Sequence, residues 1–216
     1  MTYTFETQFS LETFDTFNGL IDYVWKARQM FNDLRKRERD NLMLMPEEAR
    51  TFRWDFESRH HDYLFPMALH YSFIVLIHIE VEARLKATCD IIQKMRGIPL
   101  NARDLRGDTI EQCMIFLDKL VGIPRDKFSY WPDIADLAKI RNCIVHASGR
   151  IEKSRDKVYL HRLVQQKPNF LYLSDATDLE DKQLVLKHDY CMYMTAHARE
   201  FFVELFMYTD MMKEVP

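Results

Sequence analysis

Glycine and proline are scarce in this chain, 5 and 7 among 216 residues. So few breakers exclude a fold of many short strands and tight turns, and they favour long helices. Excess charge of one sign is also lacking. The formal net charge is −3, so the molecule as a whole is no generic polyanion binder, and any nucleic-acid contact must be a local basic patch. The four cysteines, Cys89, Cys113, Cys143 and Cys191, form no C-x-x-C pair. They read as reduced, mostly packed thiols of a cytosolic protein. The start, "MTYTFETQF", has neither the basic residues nor the apolar run of a secretory signal. The longest apolar run, "FIVLIHI" (Phe73 to Ile79), is far too short to span a bilayer. The expected location is therefore the cytoplasm, with no membrane partner. P-loop, G-x-G-x-x-G and G-x-S-x-G patterns are all missing, which sets aside nucleotide-cofactor enzymes and serine hydrolases.

What is present is an ordinary globular composition, 47% hydrophobic and 29% charged, with 12 methionines suited to helix-on-helix cores. Length alone predicts one domain, or one domain with an appendage. Residues 11–44 repeat apolar side chains at helical spacing. "PEEARTFRWDFESR" has a helix start, with Pro followed by two Glu. A long helix is expected from Asp62 to Met95, capped by Asp62 and stopped near Gly97 and Pro99; its middle, read as apolar all round, suggests a central place in a bundle. A further helix should span Asp108 to Val121. Another should lie in "SYWPDIADLAKIRNCIVHASG", with Pro132 near its start and Gly149 past its end. Residues 150–186 contain "KVYLHRL", "NFLYLSD" and "QLVLKHD", short runs rich in β-branched and aromatic residues that predict a small β-hairpin. A last helix is expected from Asp189 to Lys213. The fold class is thus all-α, a helical bundle with a small β-hairpin insert before the last helix.

The chemistry concentrates in "AKIRNCIVHASGR". On a helical wheel Ile134, Leu137, Ala138, Ile140, Ile144 and Val145 form one apolar arc, and Arg141 falls inside it. Asn142, His146 and Lys139 share one adjoining edge. An unpaired guanidinium among aliphatic side chains costs several kcal/mol, about the effective penalty for a buried ion. Arg141 therefore calls for a core carboxylate, a polar subunit interface or an incoming phosphate. Asn142 lies one turn before His146 and could orient its imidazole. Histidine suits proton transfer near neutral pH, and arginine suits a bidentate grip on phosphate.

"IRNCIVHASG" resembles the R-x4–6-H signature of the HEPN superfamily (higher eukaryotes and prokaryotes nucleotide-binding domains). The order of elements is similar too: a long central helix, the motif helix, a variable insert and a last long helix. "IEVEARLKATCD" is similar to the acidic-then-apolar pattern of such central helices. The resemblance covers about residues 60–213; residues 1–60, read as an N-terminal helical extension, and the hairpin of 150–186 lie outside it. It implies a homodimer with two motif helices facing each other, and a metal-independent endoribonuclease of defence or toxin–antitoxin type, with RNA as substrate and an antitoxin protein as partner. It implies equally a catalytically inert RNA-, nucleotide- or protein-binding module. Arg141 and His146 would be catalytic, Asn142 supportive, Lys139 substrate-binding, and Glu82 (failing that Glu80) the carboxylate that orients the site. No metal or cofactor is called for.

Two further features stand apart. His78 and Glu82 have a metal-ligand spacing, but no second ligand pair accompanies them, and a satisfied core histidine is the expectation. "HDYLFPMALH" (His61 to His70) and "HDYCMYMTAH" (His188 to His197) match at His, Asp, Tyr, Met and His. Two helix starts with Asp62 and Asp189 as N-caps explain the match more simply than a duplicated metal site, because a spacing of nine is no helical ligand spacing.

Overall fold

The computed structural model describes residues 4–174 and 182–211. Helix α1 (Phe5–Met43) is followed by α2 (Glu47–Arg59), α3 (Phe65–Arg96), α4 (Thr109–Phe116), α5 (Trp131–Ala147) and α6 (Lys157–Gln166). An antiparallel pair, β1 (Leu171–Ser174) and β2 (Gln183–Leu186), precedes α7 (His188–Tyr208), with Leu171 opposite Leu186 and Ser174 opposite Gln183. The protein is predominantly helical with one small hairpin, as its few breakers require.

Several boundaries follow from local chemistry. Asp108 caps α4 by accepting from the Glu111 amide at 3.0 Å. Downstream of α4 the chain makes one wide, π-type turn over Leu117–Val121 and closes on Gly122, whose φ of +81° a side chain would resist. The long helix is not capped at Asp62. A π-type turn at His60–Leu64 runs straight from α2 into α3. Pro66 supplies the reason: it has no amide to donate back, and a widened turn just upstream absorbs the missing bond. Nor is α3 apolar all round. Phe73, Ile74, Ile77, Val81, Leu85 and Ile92 form a buried stripe, while Ile79 is exposed. By length and composition, Glu47–Arg96 is one helix apolar enough to cross a membrane, although no single run in it is long; a third of its most apolar window is buried in the protein.

"KVYLHRL" is helical, not a strand. Leu160 and Leu163 are buried three residues apart and Val158 is exposed, a helical and not an alternating pattern. The last helix begins at His188, so Asp189 sits in its first turn and is not the cap; the helix ends at Tyr208, short of the expected Lys213, and the chain turns over residues 209–211 with Asp210 at φ of +60°.

The chain divides into two compact units. One gathers the chain up to Gly19, Leu76–Ala138 and the chain from Met194. Its core is aromatic: Phe17 stacks on Phe202 at 5.5 Å, and Phe128 meets Phe201 at 5.3 Å. Asp133 binds the His197 ring at 2.7 Å there. The other unit comprises Leu20–Val75 and Lys139–Tyr193. Its core joins Val24, Phe73, Ile140, Ile151, Leu160, Leu184 and Tyr190, all but fully buried. The motif residues Arg141, Asn142 and His146 belong to this second unit. All four cysteines are free and buried.

Candidate active site on the fifth helix

Helix α5 forms because Pro132 and Asp133 suit a first turn and because Ile134, Leu137, Ile140 and Ile144 repeat on one side, where they are buried. The buried arc is narrower than the wheel predicts. Val145, expected in the apolar arc, is 47% exposed, and Ala138 is half-buried. Arg141 is half-buried, at the margin of the buried arc and not within it, and His146 is exposed in the last turn.

The C-terminal end of α5 is held by a dense set of bonds within the second unit. Ser148 and Gly149 take φ of +53° and +76°, and the Gly149 amide returns to the Cys143 carbonyl at 3.0 Å. The Gly149 carbonyl accepts from the Leu184 amide at 2.9 Å, and Gln183 Nε2 donates to the Ser148 carbonyl at 3.1 Å. Tyr63 donates its hydroxyl to Gln183 Oε1 at 3.0 Å, and Tyr71 donates to the Leu184 carbonyl. Burial, with Cys143 and Tyr63 adding, pushes the Tyr71 phenol well above its ordinary value, so it stays a donor. A Cβ on Gly149 would lie 2.6 Å from Tyr71 Cζ and closer still to its oxygen. The hairpin thus locks the segment that follows His146. Sequence reasoning marked Gly149 only as a helix stop; its contact with Tyr71, 78 residues upstream, left no local signal.

Arg141 Nη1 donates to Asn142 Oδ1 at 3.1 Å. Its Nε is buried without a hydrogen-bond partner, and among the described residues Arg141 pairs with no carboxylate. The core salt bridge that would have made it purely structural is therefore not formed by those residues. Asn142 serves the guanidinium and not the imidazole: its Oδ1 faces Arg141, which corrects the expectation that it orients His146. Lys139 is half-buried and tied to Asp156 at 2.8 Å. Glu82 pairs with His78 on its own helix at 3.7 Å, and Glu80 with Arg84 at 3.7 Å. Arg141 and His146 are five residues apart, about 140° around a helix. One copy of α5 therefore presents its cation and its imidazole in different directions.

Among the described residues no group of three or more His, Cys, Asp or Glu is arranged to hold a metal ion. No family model, no curated protein and no solved structure matches this chain.

Proposed function

We propose that this chain is a HEPN-like, metal-independent endoribonuclease that acts as a homodimer. The observation that carries the reading is Arg141, a half-buried cation with an unpartnered Nε and no carboxylate among the described residues, held in place by Asn142. Such a group gains most from an anion that arrives from outside. The exposed strip of Val145 and His146 beside it provides the face for a second copy. With two copies related by a twofold axis, the imidazole of one protomer is brought opposite the guanidinium of the other, which the 140° separation forbids within one helix.

The chemistry requires little else. RNA carries its own nucleophile. His146 takes the proton from the ribose 2′-OH, the 2′-oxygen attacks phosphorus, and the 5′-oxygen leaves with a proton returned by an imidazole. Arg141 stabilises the charge that builds on the phosphoryl oxygens. The products are a 2′,3′-cyclic phosphate and a 5′-OH end. DNA, without the 2′-OH, is bound and not cut. A defence or toxin–antitoxin setting, with an antitoxin as regulator, belongs to the same reading. The test is labelled RNA incubated with purified protein in EDTA, beside Arg141→Ala and His146→Ala. Cleavage by the wild type and a loss of about a hundredfold or more in either variant is expected. Cleavage that persists in Arg141→Ala removes the assignment.

The wide angle between Arg141 and His146 favours a second reading if the chain is monomeric: an inert HEPN-like module that binds RNA, nucleotide or protein through Arg141 alone. RNA binding that needs Arg141 but not His146, with no cleavage, would mark that case.

A further inference from the structure

The two matching His-Asp-Tyr segments, 127 residues apart in sequence, converge within the second unit on one face of α1. Arg35 binds Asp62 of the first segment, Nη2 to Oδ1, at 2.6 Å. Arg28, seven residues earlier and on the same face, meets Asp189 of the second segment at 3.4 Å. Between them lies a cleft of about 450 Å³ lined by Arg28, Arg35, His61, His70 and His188, with Asp62 as the one carboxylate among the described residues of its lining. Phe31, Pro66 and Leu69 form its apolar wall. None of its lining residues belongs to α5.

The polar groups here are incompletely used. The His61 side chain is 8% exposed, with Nε2 3.5 Å from Glu57, and its buried Nδ1 has no hydrogen-bond partner. His188 Nδ1 is likewise buried and unpartnered. His70 is buried and donates Nδ1–H to the Leu186 carbonyl at 2.8 Å. That bond fixes the neutral tautomer and leaves Nε2 an acceptor. Each arginine is engaged by a single acidic oxygen, with most of its five N–H donors unused. The side chains of Arg28 and Arg35 are about half exposed, so those pairs hold them weakly.

We propose that this cleft binds a small phosphate monoester, with the phosphoryl oxygens between Arg28 and Arg35, the His61 and His188 rings flanking them, and the organic group against Phe31 and Leu69. A monoester fits better than a diester. In its singly protonated form it carries both an anionic oxygen for the guanidiniums and a P–OH for the His70 acceptor, whereas a diester has no proton to give. The electrostatics agree. Burial and the positive charge of Arg28 hold both His70 and His188 below the ordinary histidine value, with Asp189 opposing this at His188. A bound anion offsets the charge of Arg28, so binding draws a proton onto His188, while His70 stays neutral and accepts from the P–OH.

The test uses the full chain and three probes, inorganic phosphate, phenyl phosphate and dimethyl phosphate, followed by histidine ring NMR and calorimetry. The site predicts shifts at His61, His70 and His188 with phosphate, at least fivefold tighter binding of phenyl phosphate, and at least tenfold weaker binding of dimethyl phosphate. Arg28→Gln and Arg35→Gln should each weaken phenyl phosphate tenfold or more while melting within 2 °C of the wild type. Arg141→Ala should leave this binding unchanged, which separates the cleft from the proposed ribonuclease site. Unmoved imidazoles, a double Arg28→Gln/Arg35→Gln variant that binds as the wild type does, equal affinity for dimethyl phosphate, or a response to Zn²⁺ alone would each overturn the proposal.

Discussion

Replacing Arg141 by methionine separates a structural arginine from one kept for a ligand. Methionine retains an unbranched stem of similar bulk, so aliphatic packing along α5 changes little. The substitution removes a buried Nε without a partner, and a desolvated, unmade donor costs about 1–3 kcal/mol. It also removes the 3.1 Å bond from Nη1 to Asn142. That bond is charge-assisted, but Asn142 is only half-buried, and water can replace the lost donor, so the net loss stays near the ~1 kcal/mol of an ordinary hydrogen bond. The balance is a gain of about 1 kcal/mol, which in a chain of this length raises Tm by roughly 2–4 °C. Thermal melts and urea titrations followed by circular dichroism measure it, with the midpoint moving and the slope constant. RNA cleavage should fall by about a hundredfold or more in the same variant. A variant that melts several degrees lower would refute the reasoning: Arg141 would then be a prop of the fold, and its orphaned Nε no sign of an absent anion.

Three other outcomes follow from the same geometry. Gly149→Ala combines left-handed backbone strain of about 1–2 kcal/mol with a collision against Tyr71 that breaks its bond to Leu184, for about 2–3 kcal/mol in all and a Tm lower by roughly 4–12 °C; a shift under 1 °C would contradict the lock on α5. Burial, then Arg28 and His70, hold His188 down at about 4, against Asp189, and burial with Arg28 lowers His70 despite its bond to Leu186. Both rings bind protons more weakly folded than unfolded, so the urea midpoint should be flat above pH 6.5 and fall as pH drops from 6.5 toward 4, and His188→Gln should flatten that fall; a midpoint that rises on acidification reverses the sign. Burial raises the Cys143 thiol to about 11, against a hydrogen bond with Ser154 and with Asp156 adding, and burial also raises Cys191. All four thiols should react with a maleimide at pH 8 at least ~100-fold slower in the native protein than in urea, and fast native labelling would place one at the surface.

Much of the helical frame is written in local chemistry. Asp108, Pro132 and Gly149 each act within one turn of themselves, and their helices start or stop where those residues dictate. The errors arise where a distant contact outweighs a local preference. Asp62 has the form of a cap, but Arg35 engages it while the backbone runs on through a widened turn that Pro66 makes necessary. The β-branched and aromatic residues of "KVYLHRL" suggest a strand, yet the buried pair Leu160 and Leu163 sets a helical period. Within the candidate site, the order R-N-x-x-x-H was legible and the partnering was not, because Asn142 can turn to either neighbour along the helix. The cleft had one trace in sequence, the repeated His-Asp-Tyr, and its meaning depends on Arg28 and Arg35, which reach those segments from α1 across a gap in sequence that no local pattern bridges.

The most direct test of the proposed catalytic site mixes two dead variants. In the proposed homodimer, Arg141→Ala and His146→Ala chains co-refolded in equal amounts would form heterodimers that carry one intact guanidinium and one intact imidazole on opposite protomers. A composite site predicts that cleavage of RNA in EDTA, absent with either variant alone, returns in the mixture. A mixture as inactive as its components, beside an active wild type, would contradict a site assembled across a twofold axis.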